Sequence, residues 1–464
     1  MTLPIINQLH LLQLEQYSLK FYLKWNFKHR FSSSLPPKTL LQFTSKAKIL
    51  LALSFLLFIF LGLKIVPISL LCYLILLFLF IFFPQPFLLL SATALIPFNL
   101  LAKVIIKHQI ITELKKYPHL ITIAITGSFG KTTVKNFLFQ ILDRCFYSVK
   151  TPHSYNTLFG IAKVIKQELN LHARYFICEM AAYKPGEINE LTKLIKPQFA
   201  ILTAIGSQHL ERFGNLNNTT KAKFELIDSV SPTQALINID NPHIQKHLLT
   251  QKNRHLFNTY SLTNSKATFY LKNYQFTPDG VSFTLAYQKN SYQFSSPIFG
   301  TSALEDLLAA VSMALILKIP IKTIQSSVAS IKPAPHRLEI IHLNQAAIID
   351  NTYSSNELGF TQIINDLKNV KGKKAIITPG LVELGSQSDS IHRHLGRLAA
   401  SAFDTIILVG KASRTKSLAA GITAAKHQPT VDYLTDHRQY WPKVRDLSKN
   451  HHWILLENDL PENY

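Results

Sequence analysis

The stretch "ITIAITGSFGKTTVKNFL", Ile121 to Leu138, constrains this chain more than any other. A β-branched run enters a turn with two glycines and continues into helix-compatible residues, the strand-loop-helix order that a phosphate cradle requires. Only Ser128 and Phe129 separate Gly127 from Gly130-Lys131, where the common P-loop has four residues. Gly127 and Gly130 allow backbone N–H groups to converge on phosphate oxygens, and the helix beginning near Lys131 offers its positive end. Lys131 is placed to meet a terminal phosphate and Thr132 to hold Mg²⁺, so Gly127, Ser128, Gly130, Lys131, Thr132 and Thr133 form the candidate nucleotide-binding set. The bland alternative is a glycine turn before a helix with an exposed lysine.

Lys and Arg outnumber Asp and Glu by 49 to 27, a net charge of +22 that favours anionic partners: nucleotide phosphates, lipid headgroups or nucleic acid. No basic motif interleaved with aromatics is present, and the densest basic run precedes an apolar region, so nucleic acid is not expected as a partner. Three scattered cysteines, Cys72, Cys145 and Cys178, fit neither a disulfide framework nor a four-cysteine zinc site.

Hydrophobicity is concentrated between Ile49 and Ile106. Ile49–Val66 and Pro67–Phe83 are near-continuous apolar runs, at the lower edge of the roughly 20 residues needed to cross a bilayer, and read as a helical hairpin. A third stretch, Phe87–Ile106, is interrupted by Ser91, Thr93, Pro97, Asn99 and Lys103 and fits a span, a re-entrant segment or an interfacial one. Residues 1–48 carry seven lysines and arginines before the hairpin against the single acid Glu15, which predicts a cytoplasmic location. Two spans and an interfacial segment then keep the P-loop on the cytoplasmic side of the cell membrane.

Beyond Lys107, short apolar runs at Leu120–Thr126, Tyr175–Cys178, Phe199–Thr203 and Ala235–Ile239 alternate with helix-like stretches, which predicts an α/β fold with a doubly wound, mostly parallel sheet. Residues 267–299 alternate aromatic and polar positions around Pro278-Asp279-Gly280 and predict antiparallel strands added to that sheet. Lys332-Pro333-Ala334-Pro335 reads as a linker to a second α/β domain with strands at Ala346–Asp350, Ala375–Thr378 and Thr405–Val409. The predicted organisation is therefore 1–48 basic segment, 49–106 membrane region, 107–331 ATP-binding domain and 332–464 second domain. Glu179 falls at the carboxyl edge of a strand, where a carboxylate can reach a metal, while His209 follows the next strand and Lys223 lies on the helix after it.

In order and spacing, "TGSFGKTT", "SYNT", "EMAAYKPGEI", "LTAIGSQHLERFG" and "KAKFEL" resemble the central ATPase domain of the Mur ligase family. "HRLE", "DNTYSSN", "TPGLVELG" and "ENDLPENY" resemble the C-terminal, Rossmann-like domain of its MurF branch. The resemblance runs from about residue 118 to the terminus. It implies ATP-driven formation of a peptide-like bond in peptidoglycan synthesis, with ATP and Mg²⁺ as cofactors. A substrate carboxylate would take the γ-phosphoryl group as an acyl phosphate and be attacked by the amine of an amino acid or dipeptide such as D-Ala-D-Ala. It further implies that Lys131 stabilises the γ-phosphate and that Thr132, Glu179 and His209 hold metal. Lys223 falls where the family carries a carbamylated lysine, so Lys131, Lys223 and His209 are the candidate catalytic residues. Asn156 would serve the nucleotide and substrate side, and Arg337 and Asp350 would reach across to phosphate and ribose.

The sequence departs from the family in four places. Membrane segments stand where the family has its UDP-holding domain, which leaves the cell-wall precursor open between a UDP-linked and a lipid-linked muramoyl peptide. The adenine-side pattern Gly-x-His-Asn-x-x-Asn is replaced by Gly300-Thr301-Ser302-Ala303-Leu304-Glu305-Asp306. The motif Asp-Asp-x-Tyr-Asn-x-Asn becomes Asp350 to Asn356 with Asn351 in place of the second carboxylate, and the chain given ends directly after "LPENY". These changes keep a second reading open, a membrane-tethered nucleotide-binding scaffold.

Overall fold

The computed structural model describes residues 4–14, 17–28, 43–66, 69–152, 155–206, 213–352, 355–382, 384, 387–410, 412–435 and 439–458. By internal contacts the chain divides after Ile106. Residues 1–106 form a helical unit with its own core, in which Leu9, Leu12, Tyr22, Leu50, Phe80 and Phe87 are buried. Phe80 stacks on Phe58 at 4.5 Å between ring centroids and meets Phe87 edge-on at 4.9 Å. The first apolar run forms one helix, Ser45–Ile65, whose 21 residues span about 31 Å, a bilayer's hydrocarbon thickness. The second is shorter than the sequence suggests: Leu70–Phe82 covers about 20 Å before the chain bends by 82° into Gln85–Ala94. Pro84 and Pro86 explain the break, since neither has an N–H to continue the helical ladder. Most of the third stretch lies in the helix Ile96–Leu114, which runs on past the predicted end of the membrane region at residue 106.

The rest of the chain is built on two sheets. The first has nine strands: β1 (Ile121–Thr126), β2 (Ser148–Lys150), β3 (Tyr175–Glu179), β4 (Phe199–Leu202), β5 (Ala235–Asn238), β6 (Asn258–Ser261), β7 (Phe269–Thr277), β8 (Gly280–Tyr287) and β9 (Asn290–Ser296). Their spatial order is β2-β3-β1-β4-β5-β6-β7-β8-β9. Pairing is parallel from β2 to β7 and antiparallel from β7 to β9, as the change of pattern after residue 267 predicts. The short strands β2 and β6 carry too few apolar residues to be read from sequence. Ile123, Ala124 and Ile125 are fully buried because helices cover both faces of β1. One covering helix, Lys131–Leu142, packs on Thr301–Ile316, which is apolar nearly all round and runs through the core.

The second sheet comprises β10 (Glu339–Leu343), β11 (Ala346–Asn351), β12 (Lys374–Thr378), β13 (Thr405–Val409), β14 (Thr430–Leu434) and β15 (Trp453–Glu457), in the order β10-β11-β15-β12-β13-β14. Only β10 runs antiparallel to its neighbour. Two devices fix this domain against the first. Phe299 lies between Phe276 and Trp453, with centroids at 4.8 and 5.1 Å. Asp366 accepts hydrogen bonds from Thr301 N at 2.8 Å and from Thr301 Oγ1. Burial raises the pKa of Asp366, so these bonds and that of Gln362 offset part of its desolvation. Asp366→Ala leaves the half-buried Thr301 N–H without its acceptor and is expected to lower unfolding stability by about 1–3 kcal/mol, read from urea titration.

Candidate active site

Gly127 and Gly130 are required for different reasons. A Cβ on Gly127 would lie 1.9 Å from Thr203 Oγ1, whose hydroxyl donates to the carbonyls of Phe129 and Thr126 and ties the loop to β4. Gly130 has φ +82°, and its Cβ would fall 2.3 Å from an oxygen of Asp306 beneath the loop. Ser128 completes the anchor, with its N–H donating to Ala204 O at 2.7 Å and its Oγ accepting from Gly206 N at 3.0 Å. Phe129 packs toward Gly206, where an added Cβ would meet its ring at 2.6 Å.

The loop opens on a cavity of about 420 Å³ lined by Gly127 to Thr133, Asn156, Glu179, Ala181 to Tyr183, Phe213, Lys223, Arg337 and Asn356. Glu179 is its hub. Oε2 accepts from Thr132 Oγ1 at 2.9 Å and from Lys135 Nζ at 3.0 Å, Oε1 accepts from Asn156 Nδ2 at 3.1 Å, and the backbone N–H donates to Thr151 Oγ1 at 3.1 Å. Burial pushes the Glu179 pKa up, but the Lys135 charge, the Asn156 bond and the Lys131 charge outweigh it and leave the carboxyl below its ordinary value.

Lys131 donates to Ser128 O at 3.1 Å, and burial lowers its pKa against the opposing pull of Glu179. Lys223, almost fully buried on the helix Leu216–Ile227, is brought down to about 7, first by desolvation and then by the Lys131 charge. An amine at that value is about half neutral at pH 7, the form that takes up CO₂ as a carbamate. Thr132 Oγ1 and Glu179 Oε2 stand at the spacing of adjacent ligands around an octahedral Mg²⁺ with bonds of about 2.0–2.1 Å. These hard oxygens fit that ion.

Residues 125–314 match the family model described as the Mur ligase middle domain. This is a Mur ligase fold built around a Mur ligase middle domain. Among curated relatives, a UDP-N-acetylmuramoyl-tripeptide–D-alanyl-D-alanine ligase of Buchnera aphidicola subsp. Acyrthosiphon pisum is 31% identical over 295 residues, covering 63% of this chain and 64% of that protein. The Escherichia coli K12 enzyme of the same name is 28% identical, covering 65% and 67%. The chain thus spans slightly less than two thirds of the Buchnera protein. MurF from Acinetobacter baumannii superposes with a TM-score of 0.63 at 22% identity, over 78% of each chain. MurF from Thermotoga maritima, solved with ADP, gives 0.63 at 22% identity, over 77% of this chain and 80% of that one. Similarity of the Mur ligase portion therefore lies with the MurF branch.

Of the residues singled out from sequence, the cavity brings together Gly127, Ser128, Gly130, Lys131, Thr132, Thr133, Asn156, Glu179, Lys223 and Arg337. His209 lies outside the described residues. Asp350 does not line the cavity: its buried carboxylate engages His336 Nδ1 at 2.8 Å and the Thr352 N–H at 3.1 Å. Asn351, where the family has a second carboxylate, donates instead to both oxygens of Glu457, at 3.1 and 2.9 Å. In the altered adenine-side motif, Asp306 is buried beneath the loop, hydrogen-bonded by Thr133, with its pKa raised by burial and by Glu305.

Lys135 escaped the sequence reading. Its signal is a lysine among Val134, Leu138 and Ile141 on the buried face of an amphipathic helix. Both members of the Lys135–Glu179 pair are at most 2% exposed in their side chains. Lys135→Met strands a buried carboxylate and is expected to cost about 3–5 kcal/mol of unfolding stability. The double variant Lys135→Met/Glu179→Gln should recover most of that loss, both measured by urea unfolding.

Proposed function

We propose that the chain is an ATP-dependent amide ligase of peptidoglycan precursor synthesis. It would activate the carboxylate of a UDP-linked or lipid-linked muramoyl peptide as an acyl phosphate and join it to D-Ala-D-Ala or a similar amine. The observation that carries this reading is the convergence of Lys131, Thr132, Glu179 and Lys223 on one cavity to which the second domain adds Arg337 and Asn356. The activity for which the MurF-type relatives are named, and ADP in one of their structures, support it.

ATP supplies the phosphoryl group that makes the carboxylate electrophilic, and Mg²⁺ offsets the negative charge gathered there. The residues provide placement and charge. The loop N–H groups face the phosphates, Lys131 adds a cation the buried site cannot draw from water, and Thr132 and Glu179 would hold Mg²⁺. Lys223 as a carbamate would add an anionic oxygen where a bare ammonium would repel the metal. Arg337 reaches the site only when the second domain is docked, so assembly of the domains completes it.

Incubation with ATP, Mg²⁺, UDP-N-acetylmuramoyl-tripeptide and D-Ala-D-Ala should give ADP, phosphate and an amide product by mass spectrometry, and Lys131→Ala should abolish it. Full-rate ATP turnover without the amine would count against the ligase. Lys223→Ala should be inactive and partly rescued by short carboxylates. Wild-type activity should fall as pH drops below about 7, because protonated Lys223 cannot take CO₂, and added bicarbonate should oppose that fall.

We also place the catalytic unit at the cytoplasmic face of the cell membrane, held by residues 1–106. The length and hydropathy of Ser45–Ile65, the exposed apolar side chains of Leu56, Ile59, Phe60, Leu71, Leu74 and Phe78, and the basic N-terminal segment support this. The full chain should float with vesicles in a density gradient at high salt; recovery in the soluble fraction would overturn the placement.

A further inference from the structure

The linker that carries Arg337 is held by the same helix that opens at the phosphate loop. Near the end of Lys131–Leu142, the Gln140 side chain lies along the backbone of Lys332. Its Nε2 donates to Lys332 O at 2.9 Å, and its Oε1 accepts from Lys332 N at 2.9 Å. Both ends of one amide thus meet both polar groups of one backbone residue 192 positions away. Two such bonds fix the direction of the backbone as well as its place, because each is sensitive to angle. The helix is a rigid rod, with Lys131 and Gln140 about 14 Å apart along its axis at 1.5 Å per residue.

Between Lys332 and Arg337 the chain has little freedom. Pro333 and Pro335 have fixed φ, and Arg337 N donates to Ala334 O at 3.2 Å. His336 and Leu338, on either side of Arg337, occupy the left-handed region with φ of 60° and 55°. The His336 N–H donates to Glu339 Oε2 at 3.2 Å, and its ring engages Asp350. A change of direction at Lys332 is therefore carried to Arg337 and not absorbed on the way. Arg337 lines the cavity with Lys131 and Thr132, whereas Gln140 does not line it.

We propose that Gln140 is a positioning residue: by clamping Lys332 to the P-loop helix, it sets Arg337 on the same rigid frame as Lys131 and Thr132. The cation from the second domain then meets the nucleotide phosphates in register with the loop. The inference rests on the ligase reading above for the role of Arg337, and it adds a residue outside the cavity to those that govern phosphate binding. A bond that merely stabilised the fold would act independently of Arg337. A positioning residue acts through it, and a double variant separates the two.

The test measures the affinity of the full chain for a fluorescent ATP analogue with Mg²⁺, beside amide formation. Gln140→Ala should weaken binding about fivefold and lower kcat about tenfold, through displacement of Arg337. Gln140→Glu keeps the acceptor for Lys332 N and loses the donor to its carbonyl, so its effect should fall between. With Arg337→Ala already present, Gln140→Ala should weaken binding by less than about twofold, because the group it places is gone. Gln325→Ala removes a similar bond, from Nε2 to Gln293 O at 2.9 Å, away from the linker and should change neither quantity. ATP affinity unaltered by Gln140→Ala, or a loss that persists in full when Arg337 is absent, would overturn the proposal. Absence of amide product from the wild-type chain would instead remove the ligase reading, while the coupling of Gln140 to Arg337 is read from ATP binding alone.

Discussion

The buried ion pair between Lys135 and Glu179 is the interaction on which the rest of the site depends. A carboxylate at the end of a central strand, almost removed from water, stays ionised only if its charge is answered at contact distance. Lys135 does so at 3.0 Å from within the P-loop helix. That choice couples three elements, since β3 supplies Glu179, the helix Lys131–Leu142 supplies Lys135 and Thr132, and the segment before Leu158–Gln167 supplies Asn156. The carboxylate keeps a fixed direction, toward the hydroxyl that would share a metal with it.

The same burial has an opposite effect on Lys223. Desolvation first, and then the Lys131 charge, bring its pKa down to about 7 against the pull of Glu179. In the ligase reading proposed above, a group of the wrong charge for a metal site would thereby be open to the reagent that reverses its charge. Asp306 follows the same principle beneath the loop, where burial and Glu305 raise its pKa while it sits under Gly130 and accepts the Thr133 bond.

Much of the architecture was legible in the sequence because parallel core strands are short apolar runs and the P-loop spacing is local. β1, β3, β4 and β5 and the antiparallel extension follow from such patterns, as do the candidate residues from Gly127 to Thr133. β2 and β6 were not legible, since three or four residues beside a sheet carry little periodicity. Hydropathy counts length and composition, so it does not show that the helix of the second apolar run covers only Leu70–Phe82, nor that the chain bends by 82° after it at Pro84 and Pro86. Lys135 was overlooked because a lysine four residues after a P-loop lysine reads as solvated until the helix face it occupies is known.

By itself the sequence determined the strand-loop-helix phosphate cradle, the order of the α/β elements and the greasy basic N-terminal region, all set by residues close together in the chain. Only the tertiary structure decided which charges meet. The pairing of Glu179 with Lys135, the lowered pKa of Lys223, the withdrawal of Asp350 toward His336 and the arrival of Arg337 at the cavity depend on distances and burial between segments far apart in sequence. Electrostatic energies vary steeply with both, so they are fixed once the chain has folded and not before.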